Sequence, residues 1–422
     1  MRMHAAVAAF SHSKSAAGTG LLVLLLACTV LQRFGLSLGP IAVSLAFAVM
    51  YAVVIGALLA RRLEVAPERF IVYSICVLVA AAALAVNRNF APGGDASSLT
   101  SFLLLLALHL PLVFRITTTT PATEQPALKY LADIAFFCAV CGIVQFYAQF
   151  FIRAPWLFDF SMFVPDMLRA PGEFNTAIGM DGRYKSNGFF FREPSGFSYT
   201  VALGLIIEWL RYKRPLRLAM LGLALLLSYS GTGLLTLAIA LLFPLGAKSV
   251  VRVATVGVVA ALVYWLLGDA LNLSFTLERV HEFESERSSG YIRYVAPLRF
   301  VLDHLGDTPW SAWLGHGPGT ISRASRLAYE FHDPTWAKLL YEYGMLGFTA
   351  FVALMLIMMR ASGMEVQIRA VILLHWLVMG GLLLKAECVA TTFALFALYT
   401  TPQTAKRSQP VSSSLLQRPV TP

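Results

Sequence analysis

The stretch "WAKLLYEYGMLGFTAFVALMLIMM", residues 336–359, decides the class of fold. An α-helix rises about 1.5 Å per residue, so a run of this length covers the roughly 30 Å of a bilayer's hydrocarbon. Its charged residues, Lys338 and Glu342, stand near its start and four positions apart, so they share a helix face and can pair. Asp333-Pro334 just before it has the look of a helix start. Aspartate can accept hydrogen bonds from the free N–H groups, and proline in the first turn gives up no bond.

Working outward, the same pattern recurs. Apolar blocks fall near 17–36, 39–60, 69–86, 99–117, 129–152, 195–211, 215–231, 232–246, 249–268, 336–359, 367–384 and 386–401, twelve in all. The chain is 58% hydrophobic and 13% charged, with a mean hydropathy of +0.69, more apolar than a soluble domain of 422 residues needs for its core. The strict alternation of a membrane β-barrel is absent. The expected fold is an all-α integral membrane protein with about 12 transmembrane helices, seated in a lipid bilayer. The shortest connections are Ser230-Gly231-Thr232-Gly233 and the turn at Lys385, and merging either pair of helices would change the topology.

Charge tests that count. With both termini in the cytoplasm, the inside segments hold 18 of the 33 basic residues, among them Arg61, Arg62, Arg115, Arg211, Arg214 and Arg217, whereas the short outside loops hold three, Arg33, Arg88 and Lys385. This is the positive-inside asymmetry. The other 12 lie in or beside two long outside segments, and need another explanation. The net charge of +10 is therefore mostly topology, and no nucleic-acid partner is expected.

The organisation read from this is 1–151, the first five helices; 152–194, an outer loop; 195–268, helices six to nine; 269–335, a large outer loop; 336–401, the last three helices; and 402–422, a disordered cytoplasmic tail rich in Ser, Pro and Gln. The first apolar block lacks a convincing cleavage site and reads as a retained helix. The five cysteines all fall in apolar blocks, and Cys138-x-x-Cys141 reads as packing rather than redox chemistry. No internal repeat of the kind that builds many transporters is visible.

Chemistry is expected on the outer face. Trp156–Leu168 is aromatic and suits the membrane interface. An amphipathic helix is expected around 291–305. His332 sits just outside the helix of 336–359, where it reads either as an ordinary interfacial histidine or as a general base, since neutral imidazole can take a proton from a hydroxyl near pH 7. Lys338 and Glu342 read either as a structural ion pair or as groups that position a substrate. Arg192-Glu193-Pro194-Ser195 opens the sixth helix, whose N-terminus favours anions. Arg183, Lys185 and Arg192 in one loop, with Arg287, Arg293 and Arg299 in the other, offer planar forks that suit phosphate oxygens, although any one alone reads as a solvated loop charge. Gly315-x-Gly317-x-Gly319 lacks the strand and helix of a nucleotide loop. Glu282, Glu284 and Glu286 read as a solvated run, so neither a metal nor another cofactor is expected.

Over about 180–350 the chain resembles the bacterial O-antigen ligase and Wzy-type polysaccharide polymerase family. The resemblance rests on Gly188-Phe189-Phe190-Phe191-Arg192-Glu193-Pro194-Ser195, the break at Ser230–Gly233, Leu314-Gly315-His316-Gly317-Pro318-Gly319, and His332-Asp333-Pro334 followed by Glu342-Tyr343-Gly344-Met345-Leu346-Gly347. It implies a GT-C-like membrane glycosyltransferase of the inner membrane that acts on the periplasmic face, on oligosaccharides carried by undecaprenyl pyrophosphate. By that resemblance His332 is the catalytic residue, Arg183, Arg192 and Arg293 hold the pyrophosphate, and Glu193, Lys338 and Glu342 complete the binding set. Glu193 and Asp333 depart from the residues common among ligases and resemble the polymerase branch. The expectation is thus a polysaccharide polymerase, with a chain-length regulator as a candidate partner that the sequence does not decide. The alternatives are a ligase that passes the glycan to a lipid A core or protein, and a polysaccharide or lipid transporter.

Overall fold

A computed structural model describes residues 18–38, 41–91, 97–117, 126–152, 154–170, 184–268, 288–328 and 332–398. Each apolar block contains a helix: Gly18–Cys28, Leu45–Leu59, Pro67–Phe90, Leu99–Val113, Pro126–Ala148, Pro194–Ile207, Pro215–Leu227, Gly231–Leu242, Ala247–Leu267, Thr335–Arg360, Val366–Val378 and Ala386–Ala397. They are numbered first to twelfth below. Both doubtful connections are real breaks, since the seventh helix ends at Leu227 and the eleventh at Val378. Among the described residues four helices, Pro67–Phe90, Pro126–Ala148, Ala247–Leu266 and Thr335–Arg360, are long and apolar enough to cross a membrane.

The packing is that of a body solvated by lipid tails. Large apolar side chains such as Leu78, Val258 and Trp265 face outward at 69%, 70% and 79% exposure. Small residues let the helices approach inside: a Cβ at Gly204 would collide with Ala135, and one at Gly142 with the ring of Phe197. Close backbone approach by small residues is how helices associate where apolar burial alone gives no drive. The ninth helix stands at the periphery, with 6% of its apolar window buried.

Two departures from the helical expectation stand out. Gly35–Leu38 and Ile41–Ser44 form an antiparallel hairpin where the first two blocks were read as helix to their ends. Gly39-Pro40 lies between the strands, and proline cannot continue the helical ladder. Gly35 is needed because a Cβ there would sit 2.6 Å from the Val43 carbonyl oxygen. The amphipathic helix of the large loop is two pieces, Ser289–Tyr294 and Ala296–His304, broken where Pro297 enters the first turn of the second. Aspartate 333 also departs from its expected role, because Pro334 stands at the cap position of Thr335–Arg360 and the Asp333 carboxylate binds Lys338 instead.

The connections sort into two ends of the bundle. At one end the backbone of Ala170 donates to Arg33 O at 2.9 Å, Ser186 to Leu227 O at 3.2 Å, Ser98 to Pro318 O at 2.7 Å, and Thr335 to Gly380 O at 3.2 Å. These bonds join the connections after helices one, five and seven, link those after three and nine and those after nine and eleven, and the Arg192–Glu387 pair brings the two groups together. At the other end Leu63–Val65 pairs with Phe114–Ile116, Arg211 Nε donates to Glu365 Oε1 at 2.9 Å, and Arg217 contacts Asp133. Those join connections after even-numbered helices. Successive helices therefore run up and down.

Candidate active site

The loop that carries Arg192 and Glu193 is held from below by a buried amide network. Gln145 on the fifth helix donates to Leu157 O and to Asn187 Oδ1, both at 2.7 Å, and Asn187 Nδ2 donates to Phe158 O at 2.8 Å. Buried amides left without partners would be costly, so this loop has one favoured path. It delivers Glu193 to the start of the sixth helix with Pro194 in the first turn.

The large outer loop is anchored on the tenth helix. His316 N–H donates to Tyr341 O at 2.7 Å, Gly317 N–H to Glu342 O at 2.9 Å, and Asn87 Nδ2 to Gly315 O at 3.0 Å. Gly315, Gly317 and Gly319 adopt φ of +72°, +90° and +75°, and Gly344, at +65°, lies against the backbone of Trp313. A side chain at Gly315 would strike the backbone of Glu342 and Tyr343. Gly315 and Gly344 are thus two halves of one backbone contact, where only glycine fits, whereas Gly317 and Gly319 lie against the side chains of Ser97, Ser98 and Ser101. Beneath it, Lys338 Nζ lies 2.8 Å from Asp333 Oδ2 and 3.5 Å from Glu342 Oε1, and Glu342 is wholly buried, with Oε1 accepting from Ile321 N–H at 3.3 Å. His332 is placed by the same scaffold, since its N–H donates to Ile292 O at 3.2 Å, next to Arg293.

These loops enclose a cavity of about 440 Å³. Arg192, Glu193, Arg293, His332, Lys385 and Glu387 line its polar part, and Leu131, Leu203, Ile372, Met379 and Leu382 its apolar part. Arg293 Nη2 lies 3.7 Å from Glu193 Oε2, and Arg192 Nη2 3.9 Å from Glu387 Oε1. With His332 neutral, the described lining residues set three cations against two carboxylates, a net positive charge among them. His332 is exposed at the mouth, yet the surrounding protein removes water from the ring and Arg293 adds a facing cation. Both lower its pKa below the ordinary 6.5, against Glu193 and Asp333. The imidazole is therefore a neutral proton acceptor at pH 7. Burial would raise the Glu193 carboxyl, but Arg293, the Ser195 hydroxyl and Lys385 outweigh it and hold the group below 4.5, ionised. The arrangement can accept an anion and a proton side by side.

Compared with known families, residues 21–401 match the model described as WcaD colanic acid polymerase, a span that contains the whole cavity. The chain belongs to the WcaD colanic acid polymerase family. No curated protein matches it. Membership in the WcaD family carries a polysaccharide-polymerase role, and with it glycosyltransferase-type chemistry at a membrane.

Within this WcaD-family chain, Arg192, Glu193, Arg293 and His332, chosen from three separate sequence positions, come together on one cavity. Arg183 lies outside the described residues. Lys338 and Glu342 are not among the lining residues; they form the buried pair that seats the loop carrying His332. Sequence reasoning missed Lys385, Glu387, Gln32 and the His375–Tyr199 pair, whose rings stack at 3.3 Å and 7°. The signal for the first two was a lysine and a glutamate at a short outer turn beside Gly380-Gly381, where charge has no topological use.

Proposed function

We propose that the protein is a polysaccharide polymerase that transfers a glycan from undecaprenyl pyrophosphate to a hydroxyl of the next lipid-linked repeat, on the periplasmic face of the inner membrane. The single observation that carries this reading is that Arg192, Arg293 and His332 line one cavity, whose described lining residues are net positive. The sidedness is supported by the opposite end of the bundle, where Arg61, Arg62, Arg115, Arg211, Arg214 and Arg217 gather as the positive-inside rule requires of a cytoplasmic face.

In the proposed reaction His332 takes the proton of the acceptor hydroxyl as its oxygen bonds to the donor's anomeric carbon. The bond from that carbon to the pyrophosphate oxygen breaks, and the pyrophosphate leaves with the electron pair. Arg192 and Arg293 hold the negative charge that the pyrophosphate already carries in the donor, and as fixed cations in a partly dry site they also meet the charge it gains on leaving. No nucleotide is required, because the donor carries its own leaving group. The apolar wall suits part of the polyprenyl chain.

The test is incubation of purified protein with a synthetic lipid-linked repeat and sizing of the product. A ladder of chains supports polymerisation, and unextended repeats overturn it. Arg293→Lys keeps the charge but loses the fork, so it should weaken donor binding. In a deletion strain, single repeats left on the carrier indicate a lost polymerase, whereas long chains left there indicate a lost ligase.

A further inference from the structure

We infer that Arg33 is the positioning residue for Arg192, an inference that rests on the functional reading above. Arg33 follows the first helix and has no exposed surface. Its Nε donates to Phe190 O at 3.0 Å, its Nη2 to Phe191 O at 2.6 Å and to Phe158 O at 2.9 Å, and its Nη1 to Asp159 Oδ1 at 2.7 Å. The guanidinium also lies 4.9 Å from the centre of the Phe160 ring. A buried cation is tolerated only when it is paired and its N–H groups are satisfied, and here the partners are backbone carbonyls of the very loop that builds the site.

The geometry makes the link to function specific. The Phe191 carbonyl belongs to the peptide unit that leads into Arg192, so Arg33 sets the plane from which the Arg192 side chain departs. Phe189, two residues before Phe191, holds a left-handed φ of +68°, a conformation a bulky residue keeps only when its surroundings enforce it. Arg192 Nη2 in turn donates to the carbonyl oxygen of Gln32 at 3.1 Å, the residue beside Arg33. Gln32 and Arg33 thus grip the Arg192 segment from both sides, one through the side chain and one through the backbone. Lysine at position 33 would keep the charge, but a compact ammonium cannot span carbonyls on two strands of the loop and the Asp159 carboxylate as a planar fork does. Arg192 would then lose its fixed direction toward the pyrophosphate while His332, held by the other loop, stays in place.

The experiment is steady-state kinetics of the purified full chain with a synthetic lipid-linked repeat, comparing wild type, Arg33→Lys, Arg192→Ala and the double variant. Arg33→Lys should raise KM for the donor by about 10-fold with kcat within about 3-fold, the pattern of lost binding rather than lost chemistry. In the Arg192→Ala background it should add less than about 3-fold, because the group it positions is gone. A merely structural arginine would depress both backgrounds alike. An unchanged KM, a loss confined to kcat, or losses that multiply in the double variant overturn the inference. If Arg33→Lys does not insert, Asp159→Ala removes the acceptor of Arg33 Nη1, together with the acceptor of Ser161 N–H and Oγ–H, and should raise KM in the same direction; no rise overturns the inference as well. A wild-type protein that makes no polymer sinks the functional reading and this role with it, whereas a polymerising wild type with a KM-neutral Arg33→Lys sinks this role alone.

Discussion

Truncating Lys338 to methionine tests the scaffold under the site. The ammonium stands 3.5 Å from Glu342 Oε1, and Coulomb's law at an effective dielectric near 20 makes that attraction about 5 kcal/mol before desolvation is subtracted. Methionine fills much of the volume, so packing changes little, but Glu342 has no exposed surface and is left unpaired, with Asp333, the other partner of Lys338, still nearby. Breaking a buried pair by removing one partner costs roughly 3–5 kcal/mol, and that is the expected loss of unfolding free energy for Lys338→Met. Lys338→Met with Glu342→Gln should recover at least half, since the amide oxygen can still accept from Ile321 N–H without carrying a charge. The assay is denaturant unfolding in mild detergent followed by tryptophan fluorescence, with Trp336 and Trp313 beside the perturbed contact. A single variant within about 1 kcal/mol of wild type, or a double variant no better than the single, would refute the reasoning that Lys338 neutralises Glu342.

Three further outcomes are expected. His332→Ala should insert normally and lose about 10²–10⁴-fold in kcat, as removal of a general base does; undiminished polymer length and rate would exclude the base. In the proposed reaction His332 acts unprotonated, and its pKa is held below the ordinary 6.5, so activity should be lost as pH falls through that lowered pKa and be flat above it. The ring faces Arg293, Glu193, Asp333 and Lys385, so Arg293→Gln should move the acid limb of the pH–rate profile up and Glu193→Gln should move it down; shifts of the same sign would show that these groups do not set the imidazole. Gly344→Ala forces a side chain onto a backbone at φ +65° and against Trp313, and should cost at least about 2 kcal/mol in the same unfolding assay, where a neutral result would mean the tenth helix can straighten.

Much of the architecture was legible in one dimension. Hydropathy in blocks of bilayer length marks where helices form, because a backbone in hydrocarbon must satisfy its own hydrogen bonds. The motifs around Arg192, Glu193 and His332 were legible too, since charged residues beside apolar helices stand out and resemble a known family. What the chain order could not express is distance between connections. Arg33 read as one more loop charge, and only folding shows it gripping carbonyls from residues 158, 190 and 191. Lys338 and Glu342 read equally as substrate ligands or as a structural pair, and the tertiary structure puts them under the loop rather than on the cavity. Lys385 and Glu387 became part of the site only because the eleventh connection folds against the start of the tenth helix. Periodicity and composition report how each residue meets its solvent, which is a local property. Which cations share a cavity depends on contacts made across the bundle, which no single stretch of sequence contains.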